Sequence, residues 1–275
     1  MKSLSETAVR QYRDYGYYAP VPVVTRAEAA ALRRSLEAFE AHGGGMQGAV
    51  RHKPHLLFTW LNELIRHPRI LDAVEDVIGP DILCGGTTFF TKDARNPSYV
   101  SWHQDSTYWG LEPPDIITAW VAFTGSNAAY GAMRVIPASH KLDQAPHRDT
   151  FAADNLLSRG QEIMVEVDER KAEMLVLAAG EMSLHHVRLI HGSDPNPSDD
   201  RRIGFAIRYV PTYVRQVAGS ADSATLVRGE DRYGHFELEP RPDADMSPKA
   251  MAYHAMTTGR YSQILMRGTD REMRA

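Results

Sequence analysis

A chain of 275 residues, 43% hydrophobic and 24% charged with a mean hydropathy of −0.39, has the composition of a globular protein able to bury a sizeable core. Its formal net charge of −4 excludes an electrostatic case for nucleic acid, and its single cysteine, Cys84, excludes an internal disulfide framework and suits a reducing compartment. No stretch approaches the roughly eighteen apolar residues of a membrane span, and the first residues lack a signal peptide's apolar segment, so a cytoplasmic protein with no membrane partner is expected.

Residues 3 to 18 read as a short helix with Gly16 as its stop, and Val21 to Val24 as a short strand. Thr25 with Glu28 is a capping-box pair opening a helix over AEAAALRRSLEAFEA. Gly43, Gly45 and Gly48 formally satisfy G-x-G-x-x-G, but a helix precedes them where the dinucleotide fingerprint needs a strand, so a loop is the better reading. His67-Pro68 opens a further helix that stops at Gly79-Pro80. From Asp81 the pattern changes to β. Ile82 to Thr91, Tyr99 to Ser106, Ile116 to Thr124, Met133 to Ile136, Ile163 to Val167, Met174 to Leu177, Met182 to His186 and Ile203 to Val210 are the expected strands. The run from Ile116 is apolar throughout and suits a strand covered on both faces.

Helices followed by a series of strands argue for a mainly β protein, an antiparallel barrel or jelly roll with helices packed outside. No repeat or linker divides the chain. One domain over 1–275 is expected, with N-terminal helices over 1–80, a jelly-roll core over 81–212 and a C-terminal lid or helical segment over 213–275.

The stretch Ser101 to Trp109 carries the chemistry. On a strand, side chains at i and i+2 share a face, so His103 and Asp105 are placed to grip one metal ion. A second histidine would complete the two-histidine, one-carboxylate triad of non-haem Fe(II) oxygenases, and His191, at a strand end before Gly192-Ser193, is the candidate. Arg202, on the next strand, can reach back into the barrel and hold a carboxylate bidentately. Taken singly, each has a blander reading: His-x-Asp is common on strands, His191 would be a turn histidine, and Arg202 a surface partner of Asp199 or Asp200.

The ordered set His103-Gln104-Asp105, Trp120, Val135 to His140, His191-Gly192-Ser193 and Arg202 resembles the phytanoyl-CoA dioxygenase family over roughly residues 10 to 212. The resemblance implies a double-stranded β-helix, the cupin-like jelly roll, and an oxygenase that uses Fe(II), 2-oxoglutarate and O₂. It implies His103, Asp105 and His191 as catalytic iron ligands, Arg202 on the distal carboxylate of 2-oxoglutarate, and Trp120 and Ser193 lining that pocket. Halogenating relatives carry a small residue in place of the carboxylate ligand, so Asp105 favours hydroxylation or another oxidation. The substrate is expected to be a small organic molecule, such as a natural-product intermediate or amino-acid derivative, and the protein a monomer or homodimer. A jelly-roll binding protein without turnover is the alternative of a different class, and a halogenase the alternative within it.

Strand parity puts Arg202, Gly204, Ala206 and Arg208 on one face and sends Arg201 the other way. Arg208 is open between a substrate carboxylate and an internal ion pair. One of His185 and His186 must face inward. Tyr108, Trp109 and Phe89 are pocket or core aromatics, Arg134 is structural, and His140 is not an expected ligand.

Overall fold

The computed structural model describes residues 1–42, 45, 48–218 and 221–271. Gly43 of the glycine triplet lies outside them. The first helix, α1 (Glu6–Tyr15), is capped by the Ser5 hydroxyl and ends at Gly16, whose φ of 84° is the left-handed conformation that favours glycine. Strand β1 (Tyr17–Pro22) follows, then α2 (Arg26–Ala41), which opens with the expected capping box of Thr25 and Glu28. A helix therefore precedes the glycines, where the dinucleotide fingerprint needs a strand. Two more helices, α3 (Thr59–Leu64) and α4 (Pro68–Ile78), complete the N-terminal layer; α3 is too short to announce itself by periodicity.

The β region opens with β2 (Ile82–Lys92) and β3 (Val100–His103), then β4 (Leu111–Glu112), β5 (Ile117–Ala122), β6 (Met133–Val135) and a β7–β8 hairpin (His147–Asp149, Gln161–Ile163). It continues through β9 (Glu173–Met174), β10 (Glu181–His186), β11 (His191–Ser193) and β12 (Arg202–Pro211). Beyond lie β13 (Arg215–Gln216), β14 (Ser223–Arg228), β15 (Glu237–Leu238) and α5 (Pro248–Leu265).

These strands form a jelly roll from two facing sheets, one of order β1-β10-β5-β12-β2-β14-β15 and one of order β3-β11-β6-β9. Three strands of the larger sheet, β1, β14 and β15, come from outside 81–212. β1 pairs with β10, and β14 pairs antiparallel with β2. The segment 163–167 is not a strand beyond Ile163, and Val165 is exposed.

Side-chain parity on β12 organises the core. Ile203, Phe205, Ile207 and Tyr209 point outward into an apolar layer shared with Phe89, Val121 and Leu184 from the sheet and with Leu61, Ile70 and Val74 from the helices. Arg202, Ala206 and Arg208 point into the roll. β5 lies between β10 and β12 and is buried on both faces, as its apolar run requires.

The C-terminal helix α5 seals the open end. Its buried face carries His254, Thr257, Thr258, Tyr261, Ile264 and Leu265, and His254 Nε2 lies 2.8 Å from the His52 carbonyl. Arg159 donates to the carbonyls of Leu265 and Arg267, both at 3.2 Å, satisfying orphan acceptors at the helix end. Among the described residues, no helix is long and apolar enough to cross a membrane.

Candidate metal centre and cofactor chamber

β3 and β11 pair antiparallel with His103 directly opposite His191, so strand register sets the two imidazoles beside one another, ring centroids 4.2 Å apart and planes tilted by 49°. The carboxylate arrives differently from the sequence expectation. β3 ends at His103, and Asp105 opens a one-turn 3-10 helix, Asp105–Tyr108. That turn is pinned by Ser106 N donating to Val187 O at 3.2 Å, by Thr107 Oγ1 donating to Gln104 O at 2.9 Å, and by the Gln104 amide donating to Arg188 O at 2.9 Å. One ligand-capable atom from each of His103, Asp105 and His191 lies within 4.8 Å of the others.

The protonation pattern shows that this trio suits a cation. His103 Nδ1 lies 2.9 Å from Ser101 O and His191 Nδ1 lies 2.9 Å from Leu189 O; a carbonyl can only accept, so each ring carries a proton on Nδ1 and turns Nε2 toward the shared point. His103 Nε2 faces Asp105 Oδ1 at 3.3 Å, a pairing that a proton or a metal ion can bridge. Burial opposes ionisation of Asp105, but His103, His191 and Arg208 outweigh it and hold the carboxyl well below the usual carboxylate range. Burial, with a smaller push from the neighbouring His103, lowers His191 to about 3, so it is neutral and ready to ligate.

Beside this trio is a chamber whose walls include Phe90, Trp120, Ser193, Arg202 and Arg208. Arg202 is 2% exposed and donates to the Gly131 carbonyl. Its Nε has no partner, its guanidinium lies 5.5 Å from the Trp120 ring centre, and among the described residues no carboxylate pairs with it. Burial pulls its pKa down to about 10. A buried, unpaired guanidinium is costly, and a bidentate carboxylate ligand is the group that suits it. Gly204 makes room for this arrangement, because a Cβ there would sit 1.8 Å from Trp120 Cζ2.

Lys92 was not among the residues singled out from sequence. Its Nζ donates to Ser193 Oγ at 2.7 Å and to the carbonyls of Ser193 and Asp194, orienting the chamber's hydroxyl. Burial and Arg202 push it down to about 6. The charge at a strand end gave no signal of an inward-pointing amine.

The remaining sequence candidates separate cleanly. His185 is the inward-facing member of its pair, lining the chamber 5.0 Å from the His191 ring, whereas His186 packs against His140. His140 Nε2 lies 3.1 Å from the Arg13 carbonyl, and Arg134 is structural, in ion pairs with Glu169 and Asp194 over the Trp102 ring. Arg201 points outward to Glu40 and Asp93. Phe89 is core, stacked among Phe123 and Phe205, and its neighbour Phe90 is the chamber residue, because alternation on β2 turns the second ring inward. Tyr108 and Trp109 line an adjoining cavity.

A jelly roll that sets two histidines and one carboxylate around one point, beside an unpaired buried arginine, defines the non-haem iron oxygenase class. The chain belongs to the phytanoyl-CoA dioxygenase (PhyH) family, whose profile matches residues 12–204. A probable alpha-ketoglutarate-dependent hypophosphite dioxygenase of Stutzerimonas stutzeri is 29% identical over 203 residues, covering 72% of this chain and 67% of that protein. The peroxisomal phytanoyl-CoA dioxygenase of Homo sapiens is 31% identical over 148 residues, 51% of this chain but only 44% of the human protein. Among solved structures, the non-haem monooxygenase ThoJ in its apo form is 35% identical with a TM-score of 0.82, covering 94% of this chain and 97% of its own. Its nickel complex is 33% identical with a TM-score of 0.77, covering 94% and 98%.

Proposed function

We propose that this protein is an Fe(II)- and 2-oxoglutarate-dependent dioxygenase that hydroxylates, or otherwise oxidises, an unactivated C–H bond of a small organic molecule. His103, Asp105 and His191 hold the iron, and Arg202, Trp120 and Ser193 hold 2-oxoglutarate. The observation that carries this reading is the convergence of three facing donor atoms with a buried guanidinium that has no acid of its own. The 2-oxoglutarate dependence named for the hypophosphite dioxygenase and the nickel bound by the ThoJ monooxygenase support it. We read the chain as one domain.

Together, iron and 2-oxoglutarate supply an oxidant from O₂ as the keto acid loses CO₂, and the hydroxylation balances as R–H plus 2-oxoglutarate plus O₂ giving R–OH, succinate and CO₂. The chain provides what that chemistry needs. His103 and His191 present nitrogen donors fixed in tautomer by backbone carbonyls, and Asp105 fills a third position with an oxygen donor that leaves no gap there for a halide. Arg202 orients the cosubstrate through its distal carboxylate, with the Trp120 ring as the wall that keeps it dry.

Anaerobic titration with Fe(II) and 2-oxoglutarate tests this directly, by the weak visible charge-transfer band of a chelated keto acid. Native protein should give the band, and Arg202→Met should weaken 2-oxoglutarate by roughly 10- to 150-fold, as expected when hydrogen bonds between charged groups are lost. A native protein that binds neither ligand would return the chain to the binding-module reading. Gly204→Ala is expected to lower 2-oxoglutarate affinity about tenfold without unfolding the protein, because the new methyl displaces the rigid Trp120 ring. Retention of full affinity in that variant would remove Trp120 from the cosubstrate wall.

A further inference from the structure

A second cavity adjoins the cofactor chamber, and the two share Phe90, Asp105 and Arg208. Arg51 and Arg208 reach it from different parts of the chain: Arg51 from the one-turn helix Gly48–Arg51, Arg208 from β12. Arg208 is 9% exposed, donates to Thr88 Oγ1 at 2.6 Å and leaves its Nε unpartnered, with its guanidinium 4.9 Å from the Trp109 ring centre. Arg51 lines the same cavity, its Nε donating to the Phe89 carbonyl at 3.0 Å and its guanidinium 5.1 Å from the Phe90 ring centre.

Among the described residues, neither arginine has an acidic partner within ion-pair distance. Asp105, the acid on the cavity wall, faces His103, and the nearby acids Glu239 and Asp222 are engaged by Lys53. Burial and the Arg208 charge depress Arg51 to about 10, and both arginines add to burial in pushing His52 down. Two like-charged guanidiniums on one wall, with Asp105 turned toward His103 and no ion-pair partner of their own among the described residues, are kept for a ligand rather than for stability. The internal ion pair for Arg208 left open by the sequence is absent among the described residues. Beyond the arginines the walls mix apolar and aromatic residues, Trp109, Leu156, Leu157 and Tyr261, with the polar side chains of His52, Ser158 and Gln161.

We propose that this cavity is the substrate site and that Arg51 and Arg208 together clamp a carboxylate, so that the substrate is a small carboxylic acid with an apolar or aromatic body. Guanidinium forks match a planar carboxylate, and the shared Asp105 edge sets the carbons next to that carboxylate beside the metal position. The inference rests on the dioxygenase reading for its chemistry, but not for the binding of the acid.

The test uses named probes: phenylacetate, 3-phenylpropionate and octanoate, each against its own carboxamide, with phenylphosphonate to separate a planar from a tetrahedral anion. They are titrated calorimetrically into metal-free protein and, anaerobically, into protein holding Fe(II) and 2-oxoglutarate while the charge-transfer band is followed. At least one acid should bind about tenfold or more tightly than its amide, consistent with charge-assisted hydrogen bonds. Arg51→Gln and Arg208→Gln should each erase that preference, Arg208→Lys should restore part of it, and 2-oxoglutarate affinity should stay within about twofold of native in Arg51→Gln, since Arg51 does not line the cofactor chamber. Thermal stability of the two glutamine variants should be unchanged or raised, since an unpaired charge is removed; a structural role would lower it. The proposal is overturned if acids bind no better than amides, if the preference survives both glutamine variants, if phenylphosphonate alone binds, or if Arg208→Gln loses 2-oxoglutarate, which would give that arginine to the cosubstrate. Absence of the band in native protein would sink the dioxygenase reading, while the metal-free titration still decides whether the arginines bind a carboxylate.

Discussion

Asp105→Ala and His191→Ala are each expected to weaken iron binding by at least ~100-fold and to abolish oxidation with it, since losses of 10- to 100-fold follow from disturbing even the groups behind metal ligands. Both variants should remain folded. Asp105 sits on a short turn held by the backbone of Val187 and by the Gln104 side chain, and His191 occupies a three-residue strand whose pairing with β3 and β6 runs through the main chain. His185→Ala is the informative control, because His185 lines the same chamber beside His191 but is not one of the three converging donors. Anaerobic iron titration and succinate release separate the cases. If Asp105→Ala oxidises normally, or if His185→Ala loses iron as completely as His191→Ala, the ligand set assigned here is wrong.

Glu239→Ala should be the most destabilising single change outside the apolar core, by roughly 3–5 kcal/mol in chemical denaturation, the range for removing one partner of a buried ion pair. Glu239 receives Lys53 Nζ at 2.7 Å, Ser223 Oγ at 2.7 Å and Thr225 Oγ1 at 2.6 Å, with His55 Nε2 at 3.2 Å, so its loss strands a buried ammonium. Replacing Glu239 and Lys53 together by Leu and Met should recover most of that loss. The network also sets a pH window. Burial works against the Glu239 charge, but Lys53 and His55 outweigh it and hold the carboxyl well below its ordinary 4.5. Its contribution is therefore complete above pH 4.5 and is lost as pH falls toward the depressed folded value, where the unfolded chain binds the extra proton. Lys53 runs the other way. Burial lowers it, Glu239 and Asp222 more than compensate, and its stabilisation is complete below 10.5 and fades as pH rises through the raised folded value. Stability that shows no acid limb, or that Glu239→Ala leaves intact, would exclude this network as a structural tie between the segment around Lys53 and β14.

How much could be read in advance depended on whether the signal was local. The capping box at Thr25, the stop at Gly16, the doubly buried β5 and the alternation on β12 are all written in neighbouring residues, and each stands in the fold as the periodicity required. His103, Asp105, His191 and Arg202 were legible as a set because their order and their residue types carry the chemistry. The same local reasoning misplaced Asp105 on a strand, because nothing in Ser101 to Trp109 announces that pairing stops at His103 and a helical turn begins. Phe90 rather than Phe89 lines the chamber for a similar reason: a strand's alternation is visible, but which parity faces the core is set by the helices it packs against.

Sequence by itself determined the inventory: a β-rich chain behind an N-terminal helical layer, two imidazoles and a carboxylate of metal-binding type, and an arginine placed to meet an acid. Tertiary structure decided the relationships between distant segments. It made β1 and β14 members of the larger sheet, brought Lys92 against Ser193, and carried Arg51 across the fold to Arg208. Strand pairing between segments far apart in the chain and the absence of a counter-charge both depend on what the folded chain brings near, so no local window contains them.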